Sequence, residues 1–173
     1  MSLFVCALAD VEAEVRRLHP DGVVSLLGPG QSPPTLPPGT ARLILRFHDI
    51  AQPAEGYIAP DSGIVNQLLA FDADLGEGAR VLAHCWMGIS RSPAAAYILA
   101  CARYGPGAED QLAQALRQAA PSATPNPLLV RLADAHLARG GRMRAAIAAI
   151  GRGCDADVGE SFELALANGK AEP

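Results

Sequence analysis

The sequence predicts a three-layer α/β/α fold, with a mostly parallel central sheet of about four strands and a helical C-terminal part. Short apolar runs alternate with helix-length stretches through the first hundred residues, as expected when parallel strands are joined by crossover helices. After the first hundred residues, only the helical pattern continues. At 173 residues and 50% hydrophobic composition, the chain is long enough for one such domain and short for two.

Each element of the first half has a local signal. Strands are predicted where short apolar runs such as Leu3 to Leu8 occur, and Asp61 or Ser62 provides an N-cap ahead of a helix. The predicted order is strand 3–8, helix 9–18, strand 22–27, Pro-rich loop 28–40, strand 42–47, a loop through Pro60, helix 62–75 and strand 79–84.

The second half begins with Ser92 as the predicted N-cap of a helix and Pro93 as its first residue. Later helices are predicted at 109–116, at 128–132 after the Asn126-Pro127 cap, and at 143–150. We therefore expect a domain over 1–150. Residues 151–173 are expected to form a tail that either packs on the same domain or frays from it.

The stretch from His84 to Ser92 joins a predicted buried strand to a predicted helix. Unpaired amides at a helix start, together with the helix dipole, favour a bound anion, and Gly88 allows the loop to curl so that its amides converge. The sequence thus predicts a phosphate-binding loop formed by His84, Trp86, Met87, Gly88, Ile89 and Ser90.

Within this loop, Cys85 is the candidate nucleophile, because the field that attracts phosphate also favours a thiolate. The Arg91 guanidinium can hold two phosphoryl oxygens through its planar fork. Ser92 can donate its hydroxyl to the sulfur, and His84 is expected to orient the loop rather than to act as a base. Phosphate, sulfate or vanadate should bind there.

The spacing His84-Cys85-x5-Arg91-Ser92 resembles the signature of the cysteine-dependent protein tyrosine phosphatase superfamily, and the chain is most similar to small bacterial members related to dual-specificity phosphatases. The resemblance extends to Phe47–Ile50, to Pro125-Asn126 with Asp134, and to Ile150–Gly153. It implies a phosphatase-type fold. Asp134 either braces a loop near the site or is a solvated helix position.

A general acid must protonate the leaving oxygen of a phosphate ester. Asp49 is the leading candidate, because it follows a predicted strand whose carboxyl end should share a sheet edge with Cys85, and the resemblance also implies an upstream Asp. Asp61 is the main alternative, although its position before an apolar helix favours an N-cap more strongly. Glu55 and His48 are the remaining candidates.

Composition limits the other functions. A net charge of −4 and a single lysine, Lys170, argue against nucleic-acid and membrane partners. The four cysteines show no metal-ligand spacing and no secretory signal is recognisable, so we expect no metal or other cofactor and a reducing, cytoplasmic location.

The predicted activity is a metal-independent phosphomonoester hydrolase with a phosphocysteine intermediate, acting as a protein tyrosine or dual-specificity phosphatase. The loop carries no lysine, which favours a phosphorylated protein or a small aryl phosphomonoester as substrate; Trp86 and Met87 either contact the aryl ring or face the core. Two alternatives remain: a rhodanese-like or Cdc25-like cysteine-loop enzyme, and a non-catalytic module that binds phosphorylated ligands.

Overall fold

A five-stranded sheet organises the chain in a computed structural model that describes residues 2–165. The last part of the predicted tail, residues 166–173, lies outside the described residues. The strands are β1 (Leu3–Ala7), β2 (Gly22–Leu27), β3 (Ala41–Arg46), β4 (Val81–Cys85) and β5 (Phe162–Leu164). The helices are α1 (Val11–Leu18), α2 (Ser62–Leu75), α3 (Arg91–Tyr104), α4 (Glu109–Ala119), α5 (Pro127–His136) and α6 (Arg142–Ile150).

The strands lie in the order β3-β2-β4-β1-β5. The first four strands of the chain pair in parallel, which confirms the predicted sheet, whereas β5 runs antiparallel to β1 at one edge. Strand β5 was not predicted from the sequence. A strand of three residues is too short to show the alternating pattern that identifies strands, and only its pairing with β1 defines it.

Helices cover both faces of the sheet. On one face α1 packs through Val11, Val15 and Leu18 against apolar side chains of β1 and β2. The larger core lies on the other face, where α3 is buried along its length from Arg91 to Cys101. A helix surrounded by protein needs apolar residues on every side, and its alanine-rich sequence meets that requirement.

The predicted start of α3 was wrong by two residues. The helix begins at Arg91 because the Ser90 carbonyl already accepts the Ala94 amide at 3.1 Å. Ser90, rather than Ser92, is therefore the N-cap residue. Ser92 lies within the first turn and is fully buried. Because it is not the N-cap residue, its hydroxyl can bind a group outside the backbone of its own helix.

The topology brings the carboxyl ends of β1, β3 and β4 to one edge of the sheet, where parallel α/β sheets form their sites. Ala7 and Cys85, the last residues of β1 and β4, are partners in register. None of the helices in the described part of the chain combines the length and apolarity needed to cross a bilayer.

Candidate active site

The loop from Trp86 to Ser90 connects β4 to α3 at this edge. Cys85 precedes it and is 2% exposed, and Arg91 follows it and is 6% exposed. A strand end and a helix start therefore fix the two side chains on either side of the loop. Five of the six predicted phosphate-binding residues, Trp86 to Ser90, form one continuous turn, whereas His84 lies in β4.

The loop carbonyls are bound from outside by three other segments of the chain. The bonds run from Leu8 N to Trp86 O (3.3 Å), from Gly159 N to Met87 O (2.8 Å), from Thr124 N to Ile89 O (2.8 Å) and from Asn126 N to Ser90 O (3.2 Å). In a planar trans peptide the N–H points opposite to the C=O. The amides of residues 87, 88, 90 and 91 therefore face inward and form a bowl of donors suited to an anion.

Two glycines allow this close packing. Gly88 has φ of +71°, and a Cβ atom there would lie 3.0 Å from the Ala7 nitrogen. On the opposite side a Cβ atom on Gly159 would lie 2.9 Å from the Gly88 oxygen. The loop is thus held between the end of β1 and the segment 151–161, which we call the C-terminal strap.

The strap itself is anchored beyond the loop. The Gly153 amide donates to Thr124 Oγ1 at 3.0 Å, and the Cys154 amide donates to the Pro121 carbonyl at 3.0 Å. A Cβ atom on Gly153 would lie 2.4 Å from the carbonyl carbon of Ser122, so only glycine fits there. These described residues of the predicted tail therefore pack on the domain.

At the base of the bowl, the Ser92 hydroxyl donates to the Cys85 sulfur at 3.1 Å. The Arg91 side chain lies along the wall, where its Nη1 donates to the Phe47 carbonyl at 3.2 Å. Its Nε is buried and has no hydrogen-bond partner among residues 2–165. A buried guanidinium with an unused donor is suited to an incoming anion, which would satisfy both its charge and its hydrogen bond.

Asp49 lies at the rim of the same bowl and its side chain is 36% exposed. Its Oδ1 accepts from the Ser90 hydroxyl and from Asn126 Nδ2, each at 2.7 Å. Its Oδ2 lies 3.9 Å from Arg91 Nε. The leading candidate acid is thus brought beside the loop, with one oxygen held by donors and the other directed toward the guanidinium.

The alternative acids have other contacts. Asp61 caps α2 by accepting the Ile64 amide at 3.0 Å, which confirms its N-cap interpretation. The Nδ1 atom of His48 accepts the Ile58 amide at 2.9 Å, and its ring packs edge-on against Tyr57. Glu55 is exposed.

Both expectations for Asp134 were wrong. Its carboxylate is 4% exposed and accepts from Gly141 N at 2.7 Å and from Met143 N at 2.9 Å. It therefore caps the N-terminus of α6 from within α5. Trp86 is 52% exposed, so it does not face the core, and Met87 is half-buried.

His84 is fully buried, and its Nε2 lies 2.7 Å from Ser25 Oγ on the adjacent strand β2. Burial lowers the pKa of His84 to about 4, and the positive charges of Arg42 and Arg91 act in the same direction. The imidazole is therefore neutral near pH 7. A buried hydrogen bond between neighbouring strands suits the predicted orienting role.

The other three cysteines are free thiols. Cys6 packs on the α1 face of the sheet, whereas Cys85 belongs to the core on the opposite face. Burial raises the pKa of Cys6, and it raises that of Cys101 to about 12, so both remain thiols near neutrality. Among the described residues, no group of three or more His, Cys, Asp or Glu side chains is arranged to hold a metal ion.

Two contributors to the site were not predicted. Asn126 was expected only to cap α5, which it does by accepting the Leu129 amide at 2.8 Å, but its Nδ2 also donates to Asp49. Gly159 orients the loop from a remote part of the sequence. No local pattern reports either contact, because each joins residues far apart in the chain.

Comparison with known proteins identifies the fold. No family model matches the chain, and no curated protein matches its sequence. Among solved structures the chain is similar to DUSP15, with 20% identity and a TM-score of 0.61 over 85% of this chain and 90% of that one. It is also similar to a mouse protein described as a dual specificity phosphatase in complex with zinc tungstate, with 20% identity and a TM-score of 0.58 over 83% and 86% of the two chains. The chain therefore has the fold of dual specificity phosphatases.

We expect Gly159→Ala to weaken orthophosphate binding about tenfold, roughly the loss of one hydrogen bond to a charged group. The added methyl would push the strap from the Gly88 carbonyl and release the Met87 carbonyl that orients the Gly88 amide. Titration calorimetry measures the dissociation constant, and Ala156→Ser, an exposed change on the same strap, is the control. An unchanged dissociation constant in Gly159→Ala would refute this role of the strap.

We expect the neutral state of His84 to make stability depend on pH. The unfolded chain takes up this proton below about pH 6.5, whereas the folded chain resists it down to a pKa of about 4, so stability is lost as pH falls through that window. Urea unfolding should show that wild type loses about 3 kcal/mol more than His84→Asn between pH 7 and pH 4. Parallel losses in the two proteins would contradict the assignment.

Proposed function

We propose that the chain is a phosphomonoester hydrolase that works without a metal ion through a phosphocysteine intermediate. The observation that carries the proposal is the orientation of the loop, whose carbonyls at 86, 87, 89 and 90 are all bound from outside. The inward amides and Arg91 suit a phosphoryl dianion, with the Cys85 sulfur beneath it. The likeness in fold to dual specificity phosphatases agrees with this activity.

In the first step, the Cys85 thiolate attacks phosphorus on the side opposite the ester oxygen. The S–P bond forms, the P–O bond of the ester breaks, and the leaving oxygen takes a proton from Asp49. Arg91 and the loop amides hold the other phosphoryl oxygens while charge shifts among them.

The contacts of Asp49 indicate which of its two oxygens carries the transferred proton. Its Oδ1 is occupied by two donors, the Ser90 hydroxyl and the Asn126 amide, which bind an oxygen that carries no proton. The proton therefore belongs on Oδ2, the oxygen on the side of Arg91. A substrate phosphate that binds the guanidinium brings its ester oxygen to that side of the carboxyl group.

In the second step, water attacks the phosphocysteine and gives a proton to Asp49, the S–P bond breaks, and phosphate and the thiolate are released. The Ser92 hydroxyl, 3.1 Å from the sulfur, stabilises the departing thiolate by donating to it. His84 takes no part in proton transfer, because its ring is buried and bound to Ser25.

The substrate class that fits best is a phosphotyrosine-type monoester on a protein or a small aryl phosphate. The loop interior carries no lysine to bind a second phosphate on the same leaving group. The exposed Trp86 ring, next to Cys85 in the chain, offers an apolar contact at the rim. A nucleophilic thiolate also needs a reducing compartment, for which we propose the cytoplasm.

The direct test is hydrolysis of an aryl phosphate in the presence of a chelator. We expect wild type to be active, Cys85→Ser to be inactive, and Asp49→Ala to lose about 100-fold or more in kcat along with the alkaline fall of its pH–rate profile. Asp61→Asn, which keeps an N-cap on α2, is the matched control and should retain the wild-type profile.

Four results would overturn the proposal. Full activity in Cys85→Ser would exclude the covalent intermediate, and loss of activity with chelator would exclude a metal-independent reaction. Sulfur transfer from thiosulfate without phosphate release would favour a rhodanese-like enzyme, and tight binding of phosphate by wild type without turnover would favour a binding module.

A further inference from the structure

Two arginine side chains differ from all the others in the described part of the chain. Arg131 on α5 and Arg144 on α6 are exposed, and neither side chain has a hydrogen bond or ion pair within residues 2–165. Every other arginine there has such a partner. Those arginines are Arg16, Arg17, Arg42, Arg46, Arg80, Arg91, Arg103, Arg117, Arg139, Arg142 and Arg152.

Arg131 and Arg144 line the same cleft. It has a volume of about 390 Å³, and its floor includes Ile147 of α6. Its other walls include Ala51 and Gln52, from the loop that carries Asp49. Two guanidinium groups beside an apolar floor form a recess that can surround a carboxylate or phosphate group on a flexible side chain.

Within residues 2–165, no carboxylate lies at ion-pair distance from either guanidinium group. Asp134, one helical turn from Arg131, is the acidic residue best placed to reach it. Its carboxylate instead accepts the Gly141 and Met143 amides at the start of α6 and is 4% exposed. The cleft is therefore locally positive, although the net charge of the whole chain is −4.

The cleft also adjoins the candidate active site. Ala51 is two residues from Asp49, so the two lie within about 7 Å of each other along the chain. Pro127, which also lines the cleft, directly follows Asn126, and the Asn126 side chain donates to Asp49 and to the Ile50 carbonyl. A peptide with its phosphorylated residue in the bowl can reach the cleft with a side chain about two to four residues away.

We propose that this cleft binds an anionic side chain of the substrate peptide, so that the chain selects phosphorylated sites flanked by acidic or additionally phosphorylated residues. The inference rests on the proposed function and adds a substrate class to it. Charge complementarity with two unpaired arginines identifies the ligand, and the adjoining Asp49 loop makes it part of the same substrate.

The experiment compares phosphotyrosine peptides that differ only in the flanks, which carry glutamate, phosphoserine or the neutral glutamine. We expect wild type to prefer either anionic set over the neutral set by about five- to tenfold in kcat/KM, through KM, with the preference shrinking at high salt. Arg131→Gln/Arg144→Gln should lose it. Arg16→Gln/Arg17→Gln, an equal charge change on α1, should keep it.

A charge-reversal variant distinguishes a specific role of the two arginines from a general effect on stability. Arg131→Glu/Arg144→Glu should prefer lysine flanks over glutamate flanks, which a general loss of stability cannot produce. Preference for only one of the two anionic sets identifies carboxylate or phosphate as the natural group. An equal rate on all flanks in wild type, or a preference that survives in Arg131→Gln/Arg144→Gln, would overturn the proposal.

Binding separates this inference from the proposed activity. Affinities of the same peptides for Cys85→Ser need no turnover, so flank-dependent binding that requires both arginines supports the cleft even if wild type hydrolyses nothing. If wild type hydrolyses aryl phosphate but shows no effect of the peptide flanks, the role of the cleft is contradicted and the proposed phosphatase activity is not. Arginine-dependent binding to anionic lipid vesicles, with no flank effect on peptides, would assign the pair to a membrane surface instead.

Discussion

The orientation of four peptide groups determines what this site can do. Each carbonyl of the loop that is bound from outside turns one amide inward, and the donors come from the end of β1, the segment before α5, and the C-terminal strap. The bowl is therefore preorganised by the whole domain, so binding an anion requires little rearrangement of the loop. Cys85 is held at the end of strand β4 and Arg91 at the start of helix α3, so both side chains have fixed positions beside the inward amides.

Much of this arrangement was predictable from the sequence. The four parallel strands, the helices and the strand-loop-helix around Cys85 all have local signals: apolar runs, caps and the Ser-Pro pair. The sheet edge could be predicted for the same reason, since the parallel strands β3 and β4, which lead to Asp49 and Cys85, point the same way. Patterns that act within one element are readable before the fold is known.

Contacts between distant elements were not predictable. Strand β5 has three residues, and only β1 makes it a strand. Asp134 looked like a solvated or loop-bracing residue, yet it caps a helix that follows it in the chain. In each case the partner lies outside the pattern that prompted the prediction.

The claim that the loop amides face one anion above Cys85 is tested most directly by nuclear magnetic resonance of the backbone amides during titration with orthophosphate. We expect the amide protons of residues 87, 88, 90 and 91 to shift downfield together, with one dissociation constant, in wild type and in Cys85→Ser. Phosphate-dependent shifts confined to other parts of the chain, or no shifts at these four amides at millimolar phosphate, would contradict it.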